Sequence, residues 1–357
     1  MKLIILLIVL LFTSGCYDYK EINDLAIISA MGLDYKNNEY EVTIEALNDN
    51  IDKDSSKIKS YISVGTGKTI TKALEDAADK LDTEATYSHL KLMVLSNSII
   101  KEKLDDTVDF FLRSTYFREN FYVISSILDE PKKILDNTTE EKPVSSDAII
   151  KMLESIKYIS NSTITKKFEQ VVEEILTFGI DTSFTNIKLD DKNFIIDGMV
   201  VFDNYKYMGK LDNEDAIMYN IFKNDFYRPT YSKEYDNKFF TVSITTGKIG
   251  AKIDKDKIKI AGDLNAKIID NEPFFDIRNL DTLKNINKDF TKLLNDKITN
   301  FLKKCQNYHS DILGIAKSYY HKTRIKKEDL WENLDIDSNI TFKINKKGLI
   351  YEVPHEN

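Results

Sequence analysis

Cysteine is nearly absent from this chain: its 357 residues include only Cys16 and Cys305, so no framework of disulfides can stabilise the fold. Four histidines add little material for a metal cluster. An excess of basic charge is also missing, because 50 lysines and arginines against 58 aspartates and glutamates give a net charge of −8. Phosphate therefore meets net repulsion. We expect no metal site and no nucleic-acid partner.

Signatures of catalysis are missing as well. The chain contains no Gly-x-Ser-x-Gly elbow and no His-Glu-x-x-His pair. We therefore expect no catalytic residues, no cofactor and no enzymatic activity. What the chain does contain is 42% hydrophobic and 11% aromatic residues, enough for a substantial core. Its length suggests two or three domains.

The first fifteen residues have the layout of a secretion signal. Lys2 precedes an unbroken apolar run at residues 3–12, which as a helix spans about 15 Å, half the hydrocarbon core of a bilayer. Thr13-Ser14-Gly15-Cys16 resembles the lipobox of bacterial lipoproteins, although its first position is usually Leu, Val or Ile. We predict that the chain is cut before Cys16 and that a diacylglyceryl group on this residue anchors it in the bilayer. The alternative is an ordinary signal peptide.

Periodicity divides the rest of the chain into strands and helices. In the first part of the chain we expect strands at residues 25–31 and 40–46 joined by an Asn37-Asn38 turn, then a helix at 70–81, a strand at 90–95, a helix at 104–112, a strand at 121–127 and helices at 149–156 and 168–176. The middle should contain a hairpin of 194–202 with 205–208, a helix at 216–222 and strands at 239–245, 248–253, 257–261 and 264–269. Helices at 280–309 and 311–319 and a strand at 340–344 before a Lys347-Gly348 turn should complete the chain. Ser145 or Ser146 is expected to cap the helix that follows it. Residues 178–186 are expected to form a loop.

This mixture of hairpins and separate helices predicts an α+β fold of several domains, with mixed or antiparallel sheets and one long C-terminal helix. We expect a lipoprotein signal peptide over residues 1–15 and an N-terminal α/β domain over 16–190. A small middle domain is expected over 191–240, followed by a C-terminal strand-helix-strand domain over 241–357.

Three groupings of residues invite a chemical interpretation. Gly65-Thr66-Gly67-Lys68-Thr69 suggests a phosphate loop, but that pattern needs a glycine five positions before Gly67, so we expect a turn and a helix start. Cys305 and His309 are spaced for half a metal site, yet Cys305 continues an apolar helical stripe, which favours core packing. Arg113 and Arg118 could bind an anion, although structural ion pairs are favoured.

An aromatic stretch near the middle of the chain is the best candidate for a partner-facing surface. It contains Tyr227, Arg228, Tyr231 and Tyr235. Protein interfaces are enriched in tyrosine and arginine. Packing between domains would explain the stretch about as well.

A series of motifs resembles one family. The segment Cys16-Tyr17-Asp18-Tyr19-Lys20-Glu21-Ile22-Asn23-Asp24-Leu25-Ala26 is similar to the opening of the C-subunit lipoproteins of spore germinant receptors, the Ger(x)C family. The resemblance continues at Met31-Gly32-Leu33-Asp34, Gly65-Thr66-Gly67-Lys68-Thr69-Ile70, Ser88-His89-Leu90-Lys91, Phe110-Phe111-Leu112-Arg113, Gly198-Met199-Val200-Val201-Phe202, Gly209-Lys210-Leu211-Asp212, Asp311-Ile312-Leu313-Gly314-Ile315 and Trp331. The family commonly has tryptophan where this chain has Tyr17, and residues 114–194 match only in pattern.

The resemblance implies a three-domain α/β architecture and a partnership with membrane A and B subunits of the germinant receptor. It further implies a complex in the inner spore membrane that senses nutrients and triggers germination. We predict that the chain is anchored on the outer face of that membrane, is required for nutrient-triggered germination and acts by protein-protein assembly. Two alternatives are a solute-binding lipoprotein of a transporter and an enzyme acting on cortex peptidoglycan. The strand-rich middle of the chain disfavours the first, and the missing catalytic signatures disfavour the second.

Overall fold

The computed structural model describes residues 25–48, 59–254, 257–273, 275–326, 330–332 and 334–346. Cys16, the predicted signal peptide and the predicted Lys347-Gly348 turn lie outside the described residues. The described residues form nine helices and thirteen strands arranged in two sheets. The predicted α+β class, with mixed sheets and one long C-terminal helix, is confirmed.

The elements follow one another without an internal repeat. In chain order they are β1 (Leu25–Lys36), β2 (Glu39–Asn48), β3 (Lys59–Gly67), α1 (Ile70–Ala78), β4 (Glu84–Thr86), β5 (Leu92–Ser96), α2 (Asn97–Glu102), α3 (Leu104–Arg113), β6 (Tyr122–Ser126), α4 (Pro131–Leu135), α5 (Ser145–Ile159), α6 (Phe168–Leu176), β7 (Ser183–Asp190), β8 (Asn193–Asp203), β9 (Lys206–Leu211), α7 (Asn213–Phe222), β10 (Thr230–Tyr235), β11 (Lys238–Asp254), β12 (Lys257–Asn271), α8 (Leu280–Asn307), α9 (Ile315–Thr323) and β13 (Asp335–Lys346).

The first sheet has the order β3-β2-β1-β5-β6-β7-β8-β9, with β4 paired to β1. Its centre is parallel, from β1 through β5 and β6 to β7, and its two ends are antiparallel hairpins. Helices cover both faces: α1, α2, α3 and α6 pack on one, and α4 and α5 on the other. The parallel centre is a difference from the expected hairpin pattern. It arises because helical crossovers, not turns, connect β5 to β6 and β6 to β7.

The second sheet has the order β10-β11-β12-β13, and α8 packs on one of its faces. The four predicted strands between residues 239 and 269 are in fact the two long strands β11 and β12. β11 continues through Gly247, where a side chain would clash with the carbonyl of Asp263 on β12. The break expected between residues 245 and 248 is therefore a close approach of two paired strands.

The long helix α8 also closes one edge of this sheet. Asn287, Thr291 and Asn295 lie four residues apart on the helix and so share one face. Their side-chain oxygens accept hydrogen bonds from the β13 amides of Ile344 at 3.0 Å, Phe342 at 3.2 Å and Ile340 at 2.9 Å. Because these donors are satisfied, β13 presents no free row of amides to another strand at these positions.

A buried carboxylate starts the helix α5. Glu45, on β2, is 0% exposed. Its Oε1 accepts hydrogen bonds from the amide of Ser145 at 2.7 Å and the hydroxyl of Ser60 at 3.0 Å. Its Oε2 accepts from the amide of Ser146 at 3.1 Å and the hydroxyl of Ser29 at 2.8 Å. The predicted cap by Ser145 or Ser146 is wrong, because the helix amides are satisfied by a strand residue distant in sequence.

The expected loop over residues 178–186 is also wrong in part, since β7 begins at Ser183 and its first five residues are buried. Polar side chains here are hydrogen-bonded internally: Asn186 accepts from the Ser125 hydroxyl at 3.0 Å and the Ile127 amide at 3.1 Å. Buried polar residues made this strand resemble a loop in sequence.

Both predicted domain boundaries fall inside paired structure. The 190/191 boundary lies in the turn between β7 and β8, which pair in the first sheet, and the 240/241 boundary lies within β11. One hydrophobic cluster contains residues of β8, β9, α7, the second sheet and α8. The division into domains stays a prediction.

Candidate functional site

A groove of about 690 Å³ lies between α1 and α3, which pack on the same face of the first sheet. We call it the α1–α3 groove. Tyr35 of β1, Tyr40 of β2 and Tyr87, which follows β4, also line it. A volume of this size lies within the range of ligand pockets, about 300–1,000 Å³.

Helix α1 forms one wall of the groove because local sequence starts it sharply. The Thr69 hydroxyl caps the helix by accepting from the Lys72 amide at 3.2 Å. Gly65 on β3 lies against the helix backbone, where a side chain would meet the carbonyl of Ala73 and the amide of Ala77. The predicted helix start is confirmed, but Gly65, Thr66 and Gly67 belong to β3, and only Lys68 and Thr69 bend between the strand and the helix. The glycine serves close packing of helix on strand.

The floor of the groove is apolar. Ile70 and Leu74 of α1 and the ring of Tyr40 on β2 are buried beneath it. Tyr87 and Phe110 form an aromatic wall, because each packs against Phe117, with ring centroids 5.2 and 5.9 Å away. Burial raises the pKa of Tyr87 to about 12, so its hydroxyl is protonated at neutral pH.

The rim of the groove carries charges of both signs. Asp106 on α3 accepts hydrogen bonds from the Lys103 ammonium at 2.9 Å and the Tyr40 hydroxyl at 2.8 Å. These two hydrogen bonds hold the pKa of Asp106 below its ordinary value. The Lys103 ammonium also lies 5.2 Å from the centre of the Tyr35 ring.

Arg113 lies at the far end of α3. Its Nε contacts both oxygens of Asp109, one turn earlier, at 2.8 Å. The favoured interpretation of Arg113 as a member of a structural ion pair is confirmed. Arg118 is exposed and lies beyond the end of α3.

The predicted partner surface is only partly at the surface. Tyr227 is 43% exposed, and the guanidinium of the exposed Arg228 lies 5.1 Å from the centre of its ring. The Tyr158 ring meets Tyr227 edge-on at 5.3 Å. Tyr158 and Ile159 are 59% and 73% exposed at the end of α5. Tyr158, Ile159, Tyr227 and Arg228 form what we call the aromatic patch.

Two residues of the predicted surface lie elsewhere. Tyr231 is 6% exposed within the core beneath α8, and its hydroxyl makes no hydrogen bond with the described residues. Tyr235 is half-buried and donates its hydroxyl to Asp289 on α8 at 2.8 Å. The prediction was therefore wrong for Tyr231, because the alternation of β10 turns its ring inward. The sequence alone did not assign Tyr158 and Ile159 to this surface, although both lie outside the buried face of the amphipathic helix α5.

Cys305 is fully buried in α8 among the apolar residues of the second sheet, and burial raises its pKa well above the ordinary value. The core interpretation of Cys305 is confirmed. His309 lies past the end of α8, where its Nδ1 is 2.8 Å from Glu332. Within the part of the chain that the structure describes, no three His, Cys, Asp or Glu side chains converge as a metal site.

Two carboxyls, the half-buried Asp181 and the buried Asp311, join the segment before β7 to the segment after α8. Asp181 accepts hydrogen bonds from the Asp311 amide at 2.7 Å and the Asn204 amide at 3.1 Å. Asp311 in turn accepts from the first amides of α9, Ile315 at 3.0 Å and Ala316 at 2.7 Å. Burial raises the pKa of each carboxyl to about 6, although these hydrogen bonds oppose the shift.

None of the helices among the described residues has the length and apolarity to cross a bilayer.

Two family models match the chain in succession. One, the spore germination protein N-terminal domain, matches residues 18–189. The other, the spore germination B3/GerAC-like C-terminal domain, matches residues 197–348. Together with the two-sheet fold, these matches define a spore germination protein that contains the N-terminal and the C-terminal domain of one family. The chain belongs to the GerAC-like family of spore germination proteins, which confirms the resemblance drawn from its motifs.

Curated relatives agree with this assignment. Spore germination protein KC of Bacillus subtilis (strain 168) is 24% identical over 389 residues, which cover 97% of this chain and 95% of the relative. Spore germination protein A3 of the same organism is 29% identical over 163 residues, 44% of this chain and 43% of the relative. The crystal structure of the GerBC protein matches with a TM-score of 0.53 at 16% identity, covering 88% of this chain and 96% of that one. This last likeness concerns the fold.

Proposed function

We propose that this chain is a membrane-anchored lipoprotein subunit of a spore nutrient germinant receptor. A diacylglyceryl group on Cys16 holds it on the outer face of the inner spore membrane. The observation that carries the proposal is that both domain models of the spore germination family match in order over nearly the whole chain. The lipobox-like sequence ending at Cys16 supports the anchor.

In this proposal the chain is required for nutrient-triggered germination and works by assembly with the membrane A and B subunits, not by catalysis. The aromatic patch supports an assembly role. It combines exposed Tyr227 and Tyr158 rings with the guanidinium of Arg228, the residue types that dominate binding energy at interfaces.

The anchor is tested by Cys16→Ala. Loss of the acyl chains should move the protein from the spore membrane fraction to the soluble fraction, because buried CH₂ groups supply the anchoring at about 0.8 kcal/mol each. Membrane association that survives this substitution and washing with salt would contradict lipid anchoring.

Assembly is tested by capturing the tagged chain from spore membranes. The wild-type chain should bring down the A and B subunits, and a deletion strain should fail to germinate with at least one nutrient. A Tyr227→Ala, Arg228→Glu double variant should weaken the capture, whereas Phe239→Ala, an exposed aromatic on β11, should leave it unchanged. Normal germination of the deletion strain with every nutrient would refute the receptor role.

A further inference from the structure

We propose that the α1–α3 groove binds a small amphipathic molecule that carries no net charge, either uncharged or zwitterionic. The inference rests on the groove itself and does not depend on the proposed anchor or receptor.

The apolar body of such a ligand would lie on the floor. Ile70, Leu74 and Tyr40 are buried there, and Tyr87 and Phe110 stand as a wall that Phe117 holds from behind. Ligand pockets combine an apolar or aromatic lining of this kind with a few polar groups. Because Phe117 fixes the two wall rings, the surface is ready for an aromatic or aliphatic group to displace water from it.

The charged side chains that line the groove balance one another, so the groove has no strong preference for an anionic or a cationic ligand. The lining holds three basic side chains, Lys68, Lys103 and Arg113, and three acidic ones, Glu75, Asp106 and Asp109. Each is already neutralised by an opposite charge. The pairs are Lys68 with Glu39 at 3.1 Å, Lys72 with Glu75 at 2.5 Å, Lys103 with Asp106 at 2.9 Å and Arg113 with Asp109 at 2.8 Å. A ligand with one net charge would therefore meet as many like charges as opposite ones.

The groove nevertheless offers one acceptor and one donor to a ligand. Both hydrogen bonds to Asp106 use Oδ2, so Oδ1 is open to a donor within the part of the chain that the structure describes. The protonated hydroxyl of Tyr87 makes no hydrogen bond with the described residues and can donate. A molecule that carries both a donor and an acceptor beside an apolar body matches this arrangement.

Four probes that share a phenyl ring separate the charge classes: phenylalanine, N-acetyl-phenylalanine amide, phenylacetate and phenethylamine. Each is titrated against the full-length chain in lipid nanodiscs and detected by saturation-transfer NMR. We expect the zwitterion and the uncharged amide to bind with a Kd of about 1 mM or tighter, and the two ions to bind about tenfold more weakly.

Blocking variants place the binding in the groove. Thr71 is exposed on α1 and lines the groove, so Thr71→Trp should fill it and weaken binding at least about tenfold. Asp79 is exposed at the end of the same helix and does not line it, so Asp79→Trp should bind as the wild type does. Ser114 also lines the groove, directly after α3, so Ser114→Trp serves as a second test.

Three results would overturn the proposal. They are the absence of saturable binding by any probe, binding of an ion as tight as that of the neutral probes, and unchanged binding in both Thr71→Trp and Ser114→Trp. If Thr71→Trp and Ser114→Trp still associate with the membrane and assemble with the receptor, then loss of ligand binding in these variants tests the groove alone and leaves the proposed receptor role unaffected.

Discussion

Replacing Glu45 should destabilise the protein more than any other single carboxylate substitution on β2. In Glu45→Ala, the amides of Ser145 and Ser146 lose their acceptors. They lose them in the protein interior, because Glu45 is 0% exposed in the wild type. The hydroxyls of Ser29 and Ser60 suffer less, because each also lies within hydrogen-bond distance of a backbone carbonyl.

Each buried amide left without an acceptor costs about 1–3 kcal/mol, and loss of a negative charge at a helix N-terminus costs up to about 2 kcal/mol. With two such amides, Glu45→Ala should therefore lower the free energy of unfolding by about 2–8 kcal/mol. Glu45→Gln keeps one oxygen but turns an NH₂ group toward one of the two amides, so a loss of about 2 kcal/mol is expected.

Urea unfolding followed by circular dichroism measures these losses, and hydrogen exchange locates them. Exchange should accelerate first in the opening turn of α5, at Ser145 and Ser146. Glu41→Gln is the matched control, because Glu41 lies on the same strand, half-buried and paired with Lys36 at 3.4 Å, and should change stability by less than about 1 kcal/mol. An unfolding midpoint for Glu45→Ala equal to that of Glu41→Gln would refute the capping role.

Three further substitutions test other contacts. Gly65→Ala should cost about 1–3 kcal/mol and lower the melting temperature, because the new methyl group would overlap the backbone of α1 at Ala73 and Ala77; an unchanged melting temperature would contradict this close approach. Asn295→Leu should cost about 1–3 kcal/mol in urea unfolding, since Ile340 on β13 loses both its hydrogen bonds to α8; retention of the wild-type midpoint would show that water replaces them. In the folded protein the pKa of Asp181 and of Asp311 is about 6, against an ordinary 3.8, so the folded state binds more protons than the unfolded state between about pH 4 and 6. The stability that this proton binding contributes is therefore lost as the pH rises through that window. Asp181→Asn should flatten that decline in urea midpoints measured from pH 4.5 to 7, and parallel pH profiles for variant and wild type would count against the shifted pKa values.

Much of the local structure was predictable because it depends on residues close together in the chain. The Asn37-Asn38 turn has the positive φ angles, 54° and 61°, that asparagine tolerates, and it joins β1 to β2 as expected. The apolar stripe of α8, from Ile286 to Cys305, predicted both the helix and its buried face.

The candidate site was less predictable. Lining residues of the α1–α3 groove come from β1, β2, α1, α3 and the segment after β4, and no local pattern links them. In the aromatic patch, Tyr227 was found from composition, whereas Tyr158 belongs to a helix about 70 residues earlier in the chain. Tyr231 is the reverse case: its place in an aromatic stretch suggested a surface residue, but its ring is buried in the core.

The sequence by itself determined the helical and strand periods, the family motifs and the class of fold, because each of these is written in residues a few positions apart. Only the tertiary structure decided that β1, β5, β6 and β7 run parallel, that Glu45 starts a helix a hundred residues away, and that α1 and α3 leave a groove between them. These features depend on which distant segments meet when apolar surface is buried. That burial is set by the whole chain at once, whereas periodicity reports only which side of each element faces the core.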